Sequence, residues 1–136
     1  MANKTNKKDK KLLMADLAQR IEQGQKDRVE LHQIYSEELG GCLPVVKKPM
    51  NKILDFMDEY KEEMSLKEML VSAKEFIYEH VPMLHSEELQ KEKDLEEPWD
   101  IVDLVFHDNF MAMQYFMIEI FKLYGINDFQ DKIKNA

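Results

Sequence analysis

The sequence predicts a mainly α protein: a small helical domain of about four to six helices, with a short β-hairpin near residues 29–46. Three observations lead there. Apolar residues recur at three- and four-residue spacing through most of the chain after Pro49. Helix starts and stops stand beside those runs, at Ser65 with Glu68, Pro82, Pro98, Asn109 and Gly125. Two short apolar runs flank Gly40-Gly41, where a period of two competes with the helical one. At 136 residues the chain suits one domain with one modest core.

In chain order, residues 1–10 read as a flexible basic tail, being lysine-rich and without apolar periodicity. Leu12, Leu13, Ala15, Leu17, Ala18 and Ile21 then form a short amphipathic helix, expected to stop at Gly24. From there a single helical domain is expected to span residues 11–128, with residues 129–136 frayed. Val29 to Tyr35 loosely alternate, and Cys42-Leu-Pro-Val-Val46 follows the glycines. Pro44 cannot donate to a ladder, so that second run is an edge strand. A helix continuing through residue 38 is the competing reading.

Beyond Pro49, Met50, Ile53, Leu54, Met57 and Tyr60 share a stripe, with acidic residues mostly outside it. Ser65 and Glu68 have capping-box spacing, and Met64 and Met69 occupy the two hydrophobic-staple positions. The helix they open carries Leu66, Met69, Leu70, Ala73, Phe76 and Ile77, and Pro82 ends it. Residues 83–97 hold a short helical piece and an acidic stretch. Pro98 begins a helix containing Trp99, Val102, Val105 and Phe106. Asn109 caps a last long helix through Tyr124, and Gly125 stops it with Ile126 set to meet Phe121.

The net charge of −8 is unevenly spread. Residues 1–48 carry 10 basic and 7 acidic side chains (+3), residues 49–108 carry 6 and 17 (−11), and residues 109–136 carry 3 and 3. So acidic a middle repels phosphate backbones, and no nucleic-acid partner is expected. One cysteine, Cys42, permits no internal disulfide and fits a reducing compartment. The N-terminus has no apolar run of signal-peptide length, and residues 110–124 are too short to span a bilayer. A cytoplasmic protein with no membrane partner is expected. Its ten methionines suit irregular core gaps or an adaptable binding surface.

Catalytic chemistry finds little support. His80 and His85, with Glu87 and Glu88, match no usual metal-ligand spacing on one helix. His107 and Asp108 are neighbours and point apart on a helix. Cys42 lacks a local nucleophile signature and reads as a small packed thiol. The carboxylate pairs at Asp58-Glu59, Glu62-Glu63, Glu87-Glu88 and Glu96-Glu97 sit in the most polar, solvated stretches, whereas acid–base work needs a carboxylate set in a cleft. Four glycines leave no phosphate-binding loop. No catalytic residue, metal or cofactor is expected. The last helix is apolar nearly all round, which a domain this small encloses only with difficulty, so a protein interface or self-association is expected.

Read in order, the chain resembles the small tail assembly chaperones of long-tailed phages and prophages of Gram-positive bacteria. The resemblance spans about residues 12 to 128 and rests on IYSEELGG-CLPVVKKP at residues 34–49, YEHVPMLHSEELQ at 78–90, EEPWDIVDLVF at 96–106 and the I-x-x-LYG helix end at 120–125. It implies a non-enzymatic protein, absent from the finished virion, that binds the tape measure protein and helps tail tube subunits assemble around it. Shielding of apolar stripes is the implied mechanism. The contact residues expected for it are Trp99, Val102, Val105, Phe106, Phe110, Met113, Met117 and Phe121. The acidic middle suggests a second reading, an inhibitor that mimics nucleic acid in the basic groove of a host defence protein.

Overall fold

A computed structural model describes residues 7–60 and 63–128; the residues expected to fray at 129–136, and most of the expected tail, lie outside that range. The fold is mainly helical with one two-stranded antiparallel hairpin. Two compact units divide the chain, Met1–Glu30 and Leu31–Ala136.

The first unit holds α1, Met14–Val29. Asp16 opens it, accepting the Leu13 N–H at 2.8 Å. The helix does not stop at Gly24 but runs on to Val29, and Gly24 is not among the positive-φ glycines. Glycine inside a solvated helix costs only about 1 kcal/mol relative to alanine, too little to end one whose neighbours favour it. No residue of α1 is buried.

The second unit opens with the hairpin, β1 (His32–Ser36) against β2 (Gly41–Val45). Ile34 pairs with Leu43 and Tyr35 with Cys42. Gly40 turns the chain at φ 68°, its N–H donating to the Ser36 carbonyl at 2.9 Å. The left-handed step is open to glycine at no steric cost, which is why the hairpin prevails over a continued helix. The two faces differ: Ile34 and Val45 face the core, whereas Tyr35 and Cys42 are exposed.

α2 (Met50–Glu59) follows Pro49. Its buried edge is Ile53 and Tyr60, with Phe56 and Met57 half-buried, while Met50 and Leu54 of the expected stripe stay exposed. α3 (Leu66–His80) has the anticipated capping box: Glu68 N–H donates to Ser65 Oγ and Ser65 N–H to Glu68 Oε1, each at 3.1 Å. A 3-10 turn at Pro82–His85 leads to α4 (Glu87–Gln90). Pro98 starts a second 3-10 turn, Pro98–Asp100, which runs into α5 (Ile101–Val105). His107 and Asp108 both take positive φ, 52° and 59°, and this break separates α5 from α6 (Phe110–Lys122). Asn109 Oδ1 caps α6 through the Ala112 N–H at 3.0 Å. At the far end Gly125 has φ 75° and the Ile126 N–H donates to the Phe121 carbonyl at 3.1 Å, the wrap-around stop expected from the sequence.

The core forms where α3 and α6 meet. Phe76 stacks on Phe121 with centroids 4.8 Å apart, and Phe56 of α2 lies 4.5 Å from Phe76. Phe106 meets Phe116 edge-on at 5.5 Å. Five buried apolar side chains of α6 (Met113, Phe116, Met117, Ile120 and Phe121) contribute at about 2 kcal/mol each, on the order of 10 kcal/mol before chain entropy is set against them.

One buried charge ties α3 to α5. Lys74 Nζ lies 2.7 Å from Asp100 Oδ1 and 2.7 Å from Asp103 Oδ2. Burial alone lowers an ammonium pKa, but hydrogen bonds to both carboxylates outweigh it and hold Lys74 above its ordinary value. The same bond from Lys74 holds Asp100 below the usual carboxylate range. Lys74→Met strands two adjacent carboxylates. Urea unfolding at neutral pH is expected to show a loss of about 2–4 kcal/mol, much of it recovered when Asp100→Asn and Asp103→Asn are added. No recovery in the triple variant would mean that lost packing, not unpaired charge, carries the cost.

Candidate interaction surface

The contact residues expected from the sequence mostly lie inside the molecule. Val102, Phe106, Met113, Met117 and Phe121 are all 0% exposed and form the interior of the second unit. α3 and β1 pack on α6, and Phe106, just beyond α5, meets Phe116, so the second unit encloses the inner face of its most apolar helix. These five are therefore core in this fold and not docking surface. Trp99, Val105 and Phe110 are half-buried, the last two packed against the core.

What α6 leaves outside is a different stripe. Met111, Tyr115 and Glu119 are four residues apart and fall on one helical face. They line one wall of a groove of about 470 Å³ whose other wall is the end of β1 and its turn, with Tyr35, Ser36, Glu37 and Glu38. Tyr35, Met111 and Tyr115 are 58%, 53% and 57% exposed, large apolar area held at one place. The groove is rigidly built. Asn109, which caps α6, also donates its Nδ2 to Glu38 Oε1 at 2.7 Å and so fastens the turn to the helix start. Ser36 is buried beneath, its Oγ accepting the Leu39 N–H at 3.4 Å. Glu119 takes Lys122 Nζ at 3.2 Å, an exposed pair of little energetic weight. No lysine or arginine lines the groove among the described residues.

A smaller groove of about 230 Å³ lies between α2 and α3. Asp55, Glu59, Glu75 and Glu79 line it, with Lys52 as its single cation among the described residues. Partial burial, then the charges of Glu79, Glu59 and Glu97, push Glu75 above the ordinary carboxylate range.

The histidines weighed as ligands are not brought together. His80 is buried: its Nδ1–H donates to the Phe76 carbonyl at 2.8 Å, and its Nε2 accepts the Tyr124 hydroxyl at 2.8 Å. Tyr124 in turn accepts the Lys48 N–H at 2.7 Å; with His80 Nδ1–H committed to Phe76, Nε2 of the neutral ring can only accept, so the Tyr124 proton points at it. His85 instead stacks on Tyr78, centroids 4.1 Å apart, and bonds the Tyr78 carbonyl at 2.6 Å. His107 and Asp108 are exposed at the α5–α6 break. Cys42 is exposed on β2, where a packed thiol was expected, because the register turns position 42 to the outer face with Tyr35. No described helix is long and apolar enough to cross a membrane.

No protein-family model, curated protein or solved structure matches the chain. Tyr35, Met111 and Tyr115 are not among the eight contact residues expected by number, although Met111 and Tyr115 lie on the exposed side of residues 110–124, the side of that helix expected to meet a partner. Spacing of four along 111, 115 and 119, and alternation across 34, 35 and 36, were the signals that could have separated them from the core set.

Burial, the dominant cause, lowers the His80 pKa from 6.5 to about 4, so the ring is neutral in the fold. The unfolded chain binds that proton first. The contribution of His80 to stability is therefore constant above about pH 6.5 and falls as pH drops towards 4, by on the order of 3 kcal/mol in total. Urea midpoints measured across that window are expected to drop steeply in the wild type and much less in His80→Phe; equal slopes in the two proteins would refute the buried neutral histidine.

Proposed function

We infer that this chain is a non-enzymatic binding protein: a tail assembly chaperone that shields apolar stripes of a long helical tape measure protein in the host cytoplasm and assists tail tube assembly around it. The observation that carries this reading is α1. Leu13, Met14, Leu17, Ala18 and Ile21 share one stripe of that helix or its lead-in, and none is buried. The paired Glu22 and Lys26 lie on the opposite side. Leaving such a stripe in water forgoes about 1.5–3 kcal/mol for each large side chain, which a matching helix recovers. A chaperone for a long amphipathic protein needs this kind of surface. The resemblance in residues 34–49, 78–90, 96–106 and 120–125 is what supports a tape measure protein as the partner in this reading.

The α2–α3 groove favours a second reading. Its four carboxylates could occupy a basic cleft in the manner of an inhibitor that imitates a phosphate backbone. Capture from lysogenic cells separates the two: a nuclease or defence effector without any tail protein supports the inhibitor.

The chaperone reading requires that a large helical protein encoded just downstream be insoluble alone and soluble when co-expressed with this chain. Leu17→Asp with Ile21→Asp is expected to reduce the soluble partner at least about tenfold, since two buried aliphatic contacts are worth more than that in affinity. Thermal unfolding of the second unit should not change, because neither residue is buried. Failure of the wild-type chain to rescue a well-expressed partner overturns the reading; equal rescue by the variant removes α1 from it.

A further inference from the structure

We propose that the groove between β1 and α6 is a second docking site, specific for an arginine-bearing segment of a protein partner; this rests on the reading of the chain as a binding protein. Charge and shape both select that occupant. Tyr35 and Tyr115 expose ring surface to one groove of about 470 Å³, and Met111 adds a polarisable apolar contact. Glu37, Glu38 and Glu119 are the charged groups of its lining, with no lysine or arginine there among the described residues; Lys122 pairs with Glu119 from beside it at 3.2 Å, an exposed contact that a guanidinium can displace. A guanidinium is the side chain whose chemistry uses both features. It is planar and weakly hydrated, so it lies on a tyrosine face while its N–H groups fork to a carboxylate. An ammonium meets the same charges but stacks less well, and an anionic segment is repelled. Aliphatic neighbours of the arginine would sit on Met111 and the rings.

The geometry is prepared for this before any ligand arrives. The Asn109 bond to Glu38 joins the two walls at 2.7 Å, so the turn carrying Glu37 need not be ordered on binding. Met111, Tyr115 and Glu119 project from one face of α6, whose opposite face is locked in the core. Little conformational entropy is lost on this side of the interface, and the ligand supplies most of the ordering.

The test uses the full chain and a short fluorescein-labelled peptide of repeated Arg-Leu pairs, with Lys-Leu and Glu-Leu versions, read by fluorescence anisotropy at low salt. The Arg-Leu peptide is expected to bind tightest and the Glu-Leu peptide not at all. Tyr115→Ala, and separately Glu37→Gln with Glu119→Gln, are each expected to weaken Arg-Leu binding about tenfold. Circular dichroism confirms that these exposed-site variants fold. Equal affinity in wild type and variants, or preference for the Glu-Leu peptide, overturns the proposal. So does loss of self-association in Tyr115→Ala, seen by sedimentation, when peptide binding is unchanged, because the occupant is then a second copy. The variants of α1 keep their groove and should still bind the peptide, so failure of partner rescue and failure of this site are read separately.

Discussion

Phe76 stacked on Phe121 is the contact on which the second unit depends. It joins the middle of the sequence to its end, and Phe56 closes the cluster from α2, 5.9 Å from Phe121. Phe76 lies in the C-terminal half of α3 and Phe121 in the last turn of α6, and their packing sets the rotation of each helix. Once α6 is turned to bury Phe121, Met113 and Met117, the positions 111, 115 and 119 have no choice but to face outward. The hairpin is positioned by the same rotation: Ile34 and Val45 face the core, which turns Tyr35 away from it. The two walls of the groove, residues 35–38 and 109–119, thus follow from core geometry, and the exposed Asn109–Glu38 bond at 2.7 Å then joins them.

Much of this was legible in the sequence, and for identifiable reasons. Local signals are decisive where a single mechanism acts. Ser65 with Glu68, and Asn109, satisfy open N–H groups at helix starts, while Gly40 and Gly125 take the positive φ that their turns require. Gly24 misled because a glycine within a solvated helix is a small penalty, not a stop. The expected contact set misled for a deeper reason. Periodicity identifies an apolar helix, but whether its faces meet the same chain or another is settled by what surrounds it. For Val102, Phe106, Met113, Met117 and Phe121 the answer is the same chain, since α3 packs on both α5 and α6 and β1 covers α6.

The two proposed surfaces divide the work of recognition. α1 offers area with little chemical preference, which suits a partner presenting many similar stripes. The groove between β1 and α6 is small and polar at its rim, better suited to choosing a register along such a partner than to supplying affinity. The acidic face of α2 and α3, through Asp55, Glu59, Glu75 and Glu79, would steer basic segments towards the molecule and keep a loaded complex dispersed.

Tyr124 has a bearing on dynamics beyond the titration of its neighbour. Its hydroxyl is shared by the Lys48 amide and the His80 ring, while the His80 carbonyl receives the Val46 N–H at 2.9 Å. The exit of the hairpin, the last turn of α3 and the closing turn of α6 are therefore joined at a single atom, although they lie far apart in sequence. None of the three can fray without uncovering polar groups of the other two, so these ends should open as one cooperative unit. In amide hydrogen exchange, residues 46 and 48 would then share the protection of the C-terminal helix and not that of the loop in which they sit.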